Sequence, residues 1–362
     1  MKILHYTGMY STKYGGIEKF NVELLRRGVE LGLVYNAMPC SLRYVDDLNN
    51  KNAKIFISSG SRFKRVFSFL CIVKREKPEI IHYHFGGLLY ILVPLISLFF
   101  PKISQVYTLH CEMSNIEGIQ KKLFKFICKY LDLVISVSEG VRNGLISKVG
   151  YNKKFVVSYL GVEKGNIVNK NLRTSLNLSL KDKIITSIGW DIDIKGFDVL
   201  VKAISSLKAK CIVPSFKVIV IGLSTEEDSK FQTIIRQHGV EELFLSVGIR
   251  DDIDDFLAIS DIYVQPSRTE AISLSIMEAL NHGLPIIGTH VGGIPEVCID
   301  GENGFLVEKC DYLKLADCIK MLLSDINLCK SMGDRSLKLS KKFDLKIQVG
   351  KLIHIYENVL KH

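Results

Sequence analysis

Ile262-Tyr-Val-Gln-Pro-Ser-Arg-Thr-Glu-Ala-Ile-Ser-Leu-Ser-Ile-Met-Glu-Ala-Leu-Asn-His-Gly-Leu-Pro285 is the run that decides the fold. It opens on a short strand, Ile262–Gln265, and crosses a polar loop into a helix that Gly283 and Pro285 end. A second strand, Pro285–Thr289, follows at once. The same alternation extends outward in both directions. Upstream lie Ile184–Ile188, Phe216–Ile221 and Leu243–Val247, and downstream Phe305–Val307. A first series reads Lys2–Tyr6, Val34–Met38, Lys54–Ile57, Ile80–His84, Gln105–His110, Leu133–Ser136 and Phe155–Tyr159. Between its first two runs, residues 17, 20, 24, 25, 29 and 31 form an apolar helical stripe over Ile17–Leu31. Two blocks of strand–helix alternation predict two doubly wound α/β domains, over residues 1–165 and 166–344, with the boundary near Gly161–Lys170. A terminal helix, Leu345–Leu360, gathers positions 345, 349, 352, 353, 356, 359 and 360 on one face.

Composition agrees with that plan. A chain of 362 residues is too long for one ordinary core and suits two domains of roughly 150 residues each. With 47% hydrophobic residues, 24% charged and only 8 Pro, it reads as a well-packed soluble protein. The opening, MKILHY, reads as a buried strand rather than a secretory leader. None of the 9 Cys stands in a CxxC pair, which argues against a disulfide framework and a four-thiolate zinc site and for a reducing cytosol.

The net charge of +10 is uneven. Residues 1–165 carry 24 Lys and Arg against 12 Asp and Glu, leaving 24 against 26 in the remainder. A basic half beside a near-neutral one predicts a polyanionic surface as partner. No nucleic-acid motif accompanies it, so no nucleic acid is expected and an anionic membrane surface is. The uncharged run Leu88–Phe100 is too short to span a bilayer and contains Pro94, so it predicts a buried or interfacial helix.

In doubly wound folds ligands bind at the carboxyl ends of strands. Gly15-Gly16 opens a helix after the first strand, where backbone N–H groups can approach a phosphate. No GxGxxG occurs, which counts against a dinucleotide oxidoreductase. His110 ends the fifth strand. His82 and His84 share a face of the fourth, but no third ligand of suitable spacing follows them, so no metal is expected there. Asp191 and Asp193 form a D-x-D that reads as a turn before a helix. Lys195 at a helix start opposes the helix dipole, which points to a bound anion. Glu270 and Glu278 lie eight residues apart, on the order of 12 Å if counted along a helix. That exceeds the spacing of a glycosidase pair and matches a sugar nucleotide, with one carboxylate at the sugar and the other at the ribose. The alternative for Glu278 is a capping box, Ser275-x-x-Glu278.

Together these residues resemble the family-4 retaining glycosyltransferases of GT-B fold, over nearly the whole chain. Glu270-x7-Glu278, Gly292-Gly-Ile-Pro-Glu296 and Gly301-Glu-Asn-Gly-Phe-Leu306 look like that family's donor-site run. Gly15-Gly16-x-Glu18, His110 and Lys195-Gly196 fall in the matching order. The resemblance implies two Rossmann-like domains facing a central cleft, with the terminal helix packing back on the first. It implies catalytic roles for His110, Glu270 and Lys195: His110 beside the transferred sugar, Glu270 on the donor-sugar hydroxyls and Lys195 on the diphosphate. It further implies Glu278 on the ribose and the amides of Ile272, Ser273 and Leu274 near the phosphates. No cofactor and no metal are implied; the donor is a nucleotide-sugar, a UDP-sugar being favoured. The implied acceptor is a saccharide or polyprenyl-linked saccharide, on the cytoplasmic, inner face of the cell membrane. Trp190 departs from the family, which usually has Arg there, so Arg250 or Arg268 is expected to supply that charge. Ala271 and Ser273 replace the family's glycines. Apart from Glu270 no carboxylate is placed as a nucleophile, which favours front-face substitution over double displacement. A nucleotide-sugar 2-epimerase of the same fold and a catalytically weakened binding protein are the rival readings.

Overall fold

The computed structural model describes residues 1–7, 16–36, 42–51, 53–84, 87–111, 117–169, 171–210 and 213–361. The chain divides into two compact units, Met1–Gly161 with Leu345–His362, and Val162–Asp344. The first unit thus ends at Gly161 rather than at residue 165. At the junction, Val162 N donates to Phe343 O at 2.9 Å, so the second unit begins and ends at one point.

The first unit is a seven-stranded parallel sheet in the order β3-β2-β1-β4-β5-β6-β7. Its strands are β1 (Lys2–Tyr6), β2 (Glu30–Tyr35), β3 (Lys54–Ile57), β4 (Ile80–Tyr83), β5 (Ser104–Leu109), β6 (Leu133–Ser136) and β7 (Phe155–Val157). The connecting helices are α1 (Gly16–Arg26), α2 (Leu42–Asn49), α3 (Arg62–Glu76), α4 (Leu89–Phe99), α5 (Gly118–Ile127) and α6 (Glu139–Val149). Here the expectation shifts. The helix predicted through Leu31 stops at Arg26, because Gly28 takes φ 79 and turns the chain. Val29 and Leu31 then belong to the entry and body of β2, which starts four residues before Val34, at Glu30. Strand alternation sends Ile3 and His5 toward one face and Tyr6 toward the other, where it meets Phe69 of α3 edge-on. The uncharged run became α4, with Leu89, Leu92, Val93 and Ile96 buried and Ile91, Leu98 and Phe99 exposed.

The second unit holds a six-stranded parallel sheet, order β10-β9-β8-β11-β12-β13. After α7 (Leu172–Ser175) come β8 (Lys183–Ile188), α8 (Ile192–Lys195), α9 (Phe197–Lys210), β9 (Phe216–Ile221), α10 (Thr225–Gln237) and β10 (Phe244–Ser246). Then follow α11 (Ile253–Ala258), β11 (Ile262–Gln265), α12 (Leu274–Asn281), β12 (Ile286–Thr289), β13 (Gly304–Val307), α13 (Tyr312–Ser324) and α14 (Ile326–Ser340). Leu200, Ile204 and Leu207 of α9 and Leu315, Ile319 and Leu322 of α13 pack with Ile185, Val218 and Val264 of the sheet in one buried core. The final helix, α15 (Leu345–Leu360), belongs to the first unit. Its Leu345, Val349, Leu352 and Tyr356 join the core of Phe20 and Leu24, while Leu360, expected on that face, is exposed. In both sheets the strand order reverses beside the first strand, at β1/β4 and at β8/β11, and such points open a crevice for ligands.

Candidate active site

Lys195 and Glu270 meet at the second switch point. β8 delivers the chain to Asp191, whose side chain accepts from Ile194 N at 2.7 Å and caps α8. The D-x-D is therefore a helix cap, as a turn reading requires. Lys195 does not start a helix. It closes the one-turn α8, and Gly196, at φ 68, breaks the chain before α9 begins. Lys195 therefore stands in the last turn of α8, and its ammonium finds a carboxylate. Lys195 Nζ donates to Glu270 Oε2 at 2.5 Å, with both side chains 13% exposed.

Close backbone approach makes that contact possible. A Cβ on Gly196 would lie 2.0 Å from Pro266 O, and one on Gly189 would lie 2.5 Å from Cγ of Lys195. Arg268 N donates to Ile194 O at 2.8 Å and stitches the two loops together. Behind Glu270 runs a buried polar chain that sequence reading missed. Tyr263 Oη donates to Gln265 Oε1 at 2.7 Å, Gln265 Nε2 to Ser267 Oγ at 2.8 Å, and Ser267 Oγ to Glu270 Oε2 at 3.5 Å. Burial first, and then the negative charges of Glu278 and Glu270 among other causes, push the Tyr263 phenol up. Both carboxylates therefore act on one buried hydroxyl. Gln265 and Ser267 read as the end of a strand and the start of a loop, and only the polarity of Gln265 at the end of an apolar run could have marked that chain.

The helix that follows begins at Leu274, with residues 266–273 as loop, so the spacing counted along a helix between the glutamates does not apply. Ser273 is its N-cap, its Oγ accepting from Ile276 N at 3.3 Å. Ser275 instead lies inside the helix and donates to Gln265 Oε1 at 3.1 Å. The capping box Ser275-x-x-Glu278 is thus overturned, and Glu278 stands half-buried in the second turn. Ile272, Ser273 and Leu274 form the N-terminal end of α12. Gly293 N donates to Glu270 O at 3.3 Å, which fixes the loop from the β12 side.

The two candidate arginines are both engaged. Arg268 grips Asp198 of α9 with two bonds of 2.8 Å. Arg250 grips Asp252 at 2.8 and 2.5 Å and lies over the Phe256 ring. Trp190, more than half exposed, offers no positive charge in exchange. In the first unit Gly16 opens α1, whereas Gly15 lies outside the described residues. His110 follows β5 and is no lone strand-end histidine. Its Nε2 lies 3.0 Å from His84 Nδ1, and His84 Nε2 lies 3.0 Å from His5 Nδ1. The third histidine whose absence argued against a metal is present, since ring nitrogens of His5, His82 and His84 lie within 4.8 Å of one another. It escaped notice because it comes from β1, far away in sequence, where parallel pairing sets His5 opposite His82. Burial holds His5 down to about 3 and His110 to about 4, and His82 and His84 well below the usual imidazole range.

Two family patterns match in tandem: Glycosyltransferase Family 4 over residues 14–165 and Glycosyl transferases group 1 over residues 168–339. The chain is a family-4 glycosyltransferase. Over 94% of its length the transferase is 26% identical to N-acetyl-alpha-D-glucosaminyl L-malate synthase of Bacillus anthracis, covering 92% of that protein. It is 24% identical to the lipopolysaccharide core biosynthesis glycosyltransferase LpsE of Rhizobium meliloti, with 92% of each chain covered. Among solved structures, Anabaena HepE in complex with UDP superposes with a TM-score of 0.84 at 20% identity, covering 99% of this chain and 100% of that one. The transferase therefore has the GT-B type of fold, built from two Rossmann-like units.

Proposed function

We propose that this transferase moves a sugar from a nucleoside-diphosphate sugar, with a UDP-sugar favoured, to a saccharide acceptor with retention of configuration. The observation that carries the reading is the Lys195–Glu270 pair at the β8/β11 switch point, beside the N-terminal end of α12. A nearly buried ammonium held by a single carboxylate is poised for exchange. When a diphosphate arrives, Lys195 turns to it, the α12 amides add donors, and Glu270 becomes available to accept from sugar hydroxyls. Glu278, four residues into the helix, takes the ribose hydroxyls. A Glu270 that accepts from sugar hydroxyls is not placed to attack the sugar carbon, so front-face substitution is favoured: the leaving diphosphate accepts the acceptor's proton as the new bond forms on the same face. The HepE complexes with UDP and with UDP-glucose support the choice of donor. Thermal-shift measurements with UDP-, GDP-, ADP- and dTDP-sugars test it. UDP-sugars should raise the melting temperature most, and no rise with any of the four would sink the proposal.

The acceptor we infer is lipid-linked, presented at the inner face of the cell membrane. No helix among the described residues is long and apolar enough to cross a membrane. Helices α3, α4 and α5 expose Phe63, Phe67, Leu98, Phe99, Ile119 and Phe126, with Arg62, Lys64, Lys121, Lys122 and Lys125 among them. Apolar side chains set among cations suit an anionic bilayer surface.

A further inference from the structure

The first turn of α3 carries an inference about what the basic half of the chain binds. α3 leaves β3, crosses β2 and β1 and leads to β4, so its N-terminal end lies at the carboxyl ends of those strands. Gly60, at φ 96, turns the chain into the helix, and Ser61 caps it, its Oγ accepting from Lys64 N at 3.4 Å. Ser58 Oγ donates to Arg65 O at 3.2 Å and ties the entering loop to the first turn. Arg62, Lys64 and Arg65 follow the cap, and no acidic residue shares their turn. The amide end of a helix already favours negative charge, so three cations there oppose the dipole and repel one another. Acidic residues suit such a turn better, as Glu226, Glu227 and Asp228 do in α10.

Beneath this turn lies a buried hydroxyl that the fold leaves unused. Tyr6 and Tyr83 both project toward α3 and pack against Phe69, their ring centroids 5.1 and 6.4 Å from its own. Tyr83 Oη donates to Gln105 Oε1 at 2.8 Å, whereas Tyr6 Oη is buried and finds no partner among the described residues. A phenylalanine would fill the same space without stranding a hydroxyl. Arg65 stands one turn before Phe69 on the same helical face, and helical side chains lean toward the N-terminus. Its guanidinium therefore lies on the outer side of the Tyr6 ring, and its Nε too is buried and finds no partner among the described residues. Burial pushes the Tyr6 phenol up and the Arg65 charge pulls it back, in keeping with that proximity. Two buried donors, one neutral and one charged, thus meet at the amide end of a helix of 15 residues.

We propose that Tyr6 Oη, Arg65 and the N-terminal amides of α3 form a binding site for a phosphate monoester, the headgroup of a bilayer lipid. A carboxylate brings two oxygens to these donors, whereas a monoester brings three and close to two negative charges. Phe63 and Phe67, which flank the site, are exposed, and apolar side chains beside a phosphate suit a lipid surface better than a dissolved anion. The phosphate site stands on the first unit alone; its lipid source rests on the bilayer reading proposed above.

Vesicle co-sedimentation and calorimetric titration of the full-length protein test it. Phosphatidylcholine vesicles containing phosphatidic acid are compared with vesicles containing oleate at matched surface charge, and glycerol 3-phosphate serves as the soluble monoester. The parent should bind the phosphatidic acid vesicles about tenfold more tightly than the oleate vesicles, the scale of one hydrogen bond to a charged group. Tyr6→Phe should lose that preference while keeping its binding to oleate vesicles and a melting temperature at or above the parent's, since only the stranded hydroxyl is removed. Arg65→Gln should lose the preference too, whereas Lys102→Gln, which removes the same charge from an exposed turn before β5, should keep it. If Arg65→Gln does not fold, Tyr6→Phe decides alone. Equal binding of the parent to both kinds of vesicle, or an undiminished preference in Tyr6→Phe, overturns the proposal. Glycerol 3-phosphate bound by the parent and lost in Tyr6→Phe, with no binding to either vesicle, would support the phosphate site and overturn its lipid source along with the bilayer reading. Phosphatidic acid bound as expected by a protein that binds no UDP would support the site and overturn only the sugar-nucleotide reading.

Discussion

Glu270 and Glu278 occupy different positions relative to the one lysine of the site, and their losses should differ accordingly. Glu270→Gln leaves Lys195 without its charged partner, removing a competitor for the diphosphate and an acceptor for sugar hydroxyls. Its kcat should fall strongly while affinity for free UDP is held or rises. Glu278→Gln should weaken UDP by about 1.5–3 kcal/mol, the scale of a hydrogen bond to a charged group. Ser273 caps α12, so the melting temperature of Glu278→Gln should stay near that of the parent. Calorimetric titration of both variants with UDP separates the roles, and a Glu278→Gln protein that binds like the parent removes Glu278 from the ribose. Glu270 and Lys195 were legible because charged residues at strand ends have few structural uses. Gln265 and Ser267 were not, because each acquires its role only from neighbours that the fold brings together. The capping box failed for a related reason: Ser273 and Ser275 both suit a cap, and only the backbone at Ser273, φ −91 and ψ 106, decides between them.

Short α8 and the turn after it set the geometry of the donor site at the level of elements. The sequence made Lys195 the start of a helix, whereas Gly196 in the left-handed region separates it from α9 and aims the lysine across at the β11 loop. Gly196→Ala meets two obstacles, a positive φ costing about 1–3 kcal/mol and a Cβ against Pro266 O. We expect a melting temperature lower by several degrees, together with weaker UDP binding, because the Lys195 loop must shift away from Glu270. Scanning calorimetry and titration on the same sample check this; unchanged values for both would show that the turn does not position Lys195. Parallel strands buried on both faces announced themselves as apolar runs, and most were placed correctly. β2 was misplaced because Gly28 ends α1 early, and Val29 and Leu31 continue the helical apolar period past that turn.

At the scale of the molecule, the excess of basic residues lies in the half that also exposes Phe63, Phe67 and Leu98. Binding to vesicles should rise with their anionic lipid content and fall with salt. Reversing Arg62 and Lys64 together with Phe63→Ser and Phe67→Ser should reduce it further. Equal binding to neutral vesicles in high salt would discard the electrostatic contribution. Two doubly wound units and a returning terminal helix were legible from periodicity and motif order, since burial of parallel strands writes itself into composition. Which histidines meet was not, because a sheet's strand order is not its sequence order. The central claim, that a nucleoside diphosphate is held at the β8/β11 switch point, is tested most directly by calorimetric titration of UDP into the parent and into Lys195→Ala. The account predicts one site per chain in the parent and a loss of about 1.5–3 kcal/mol in the variant. UDP bound equally well by both proteins would contradict it.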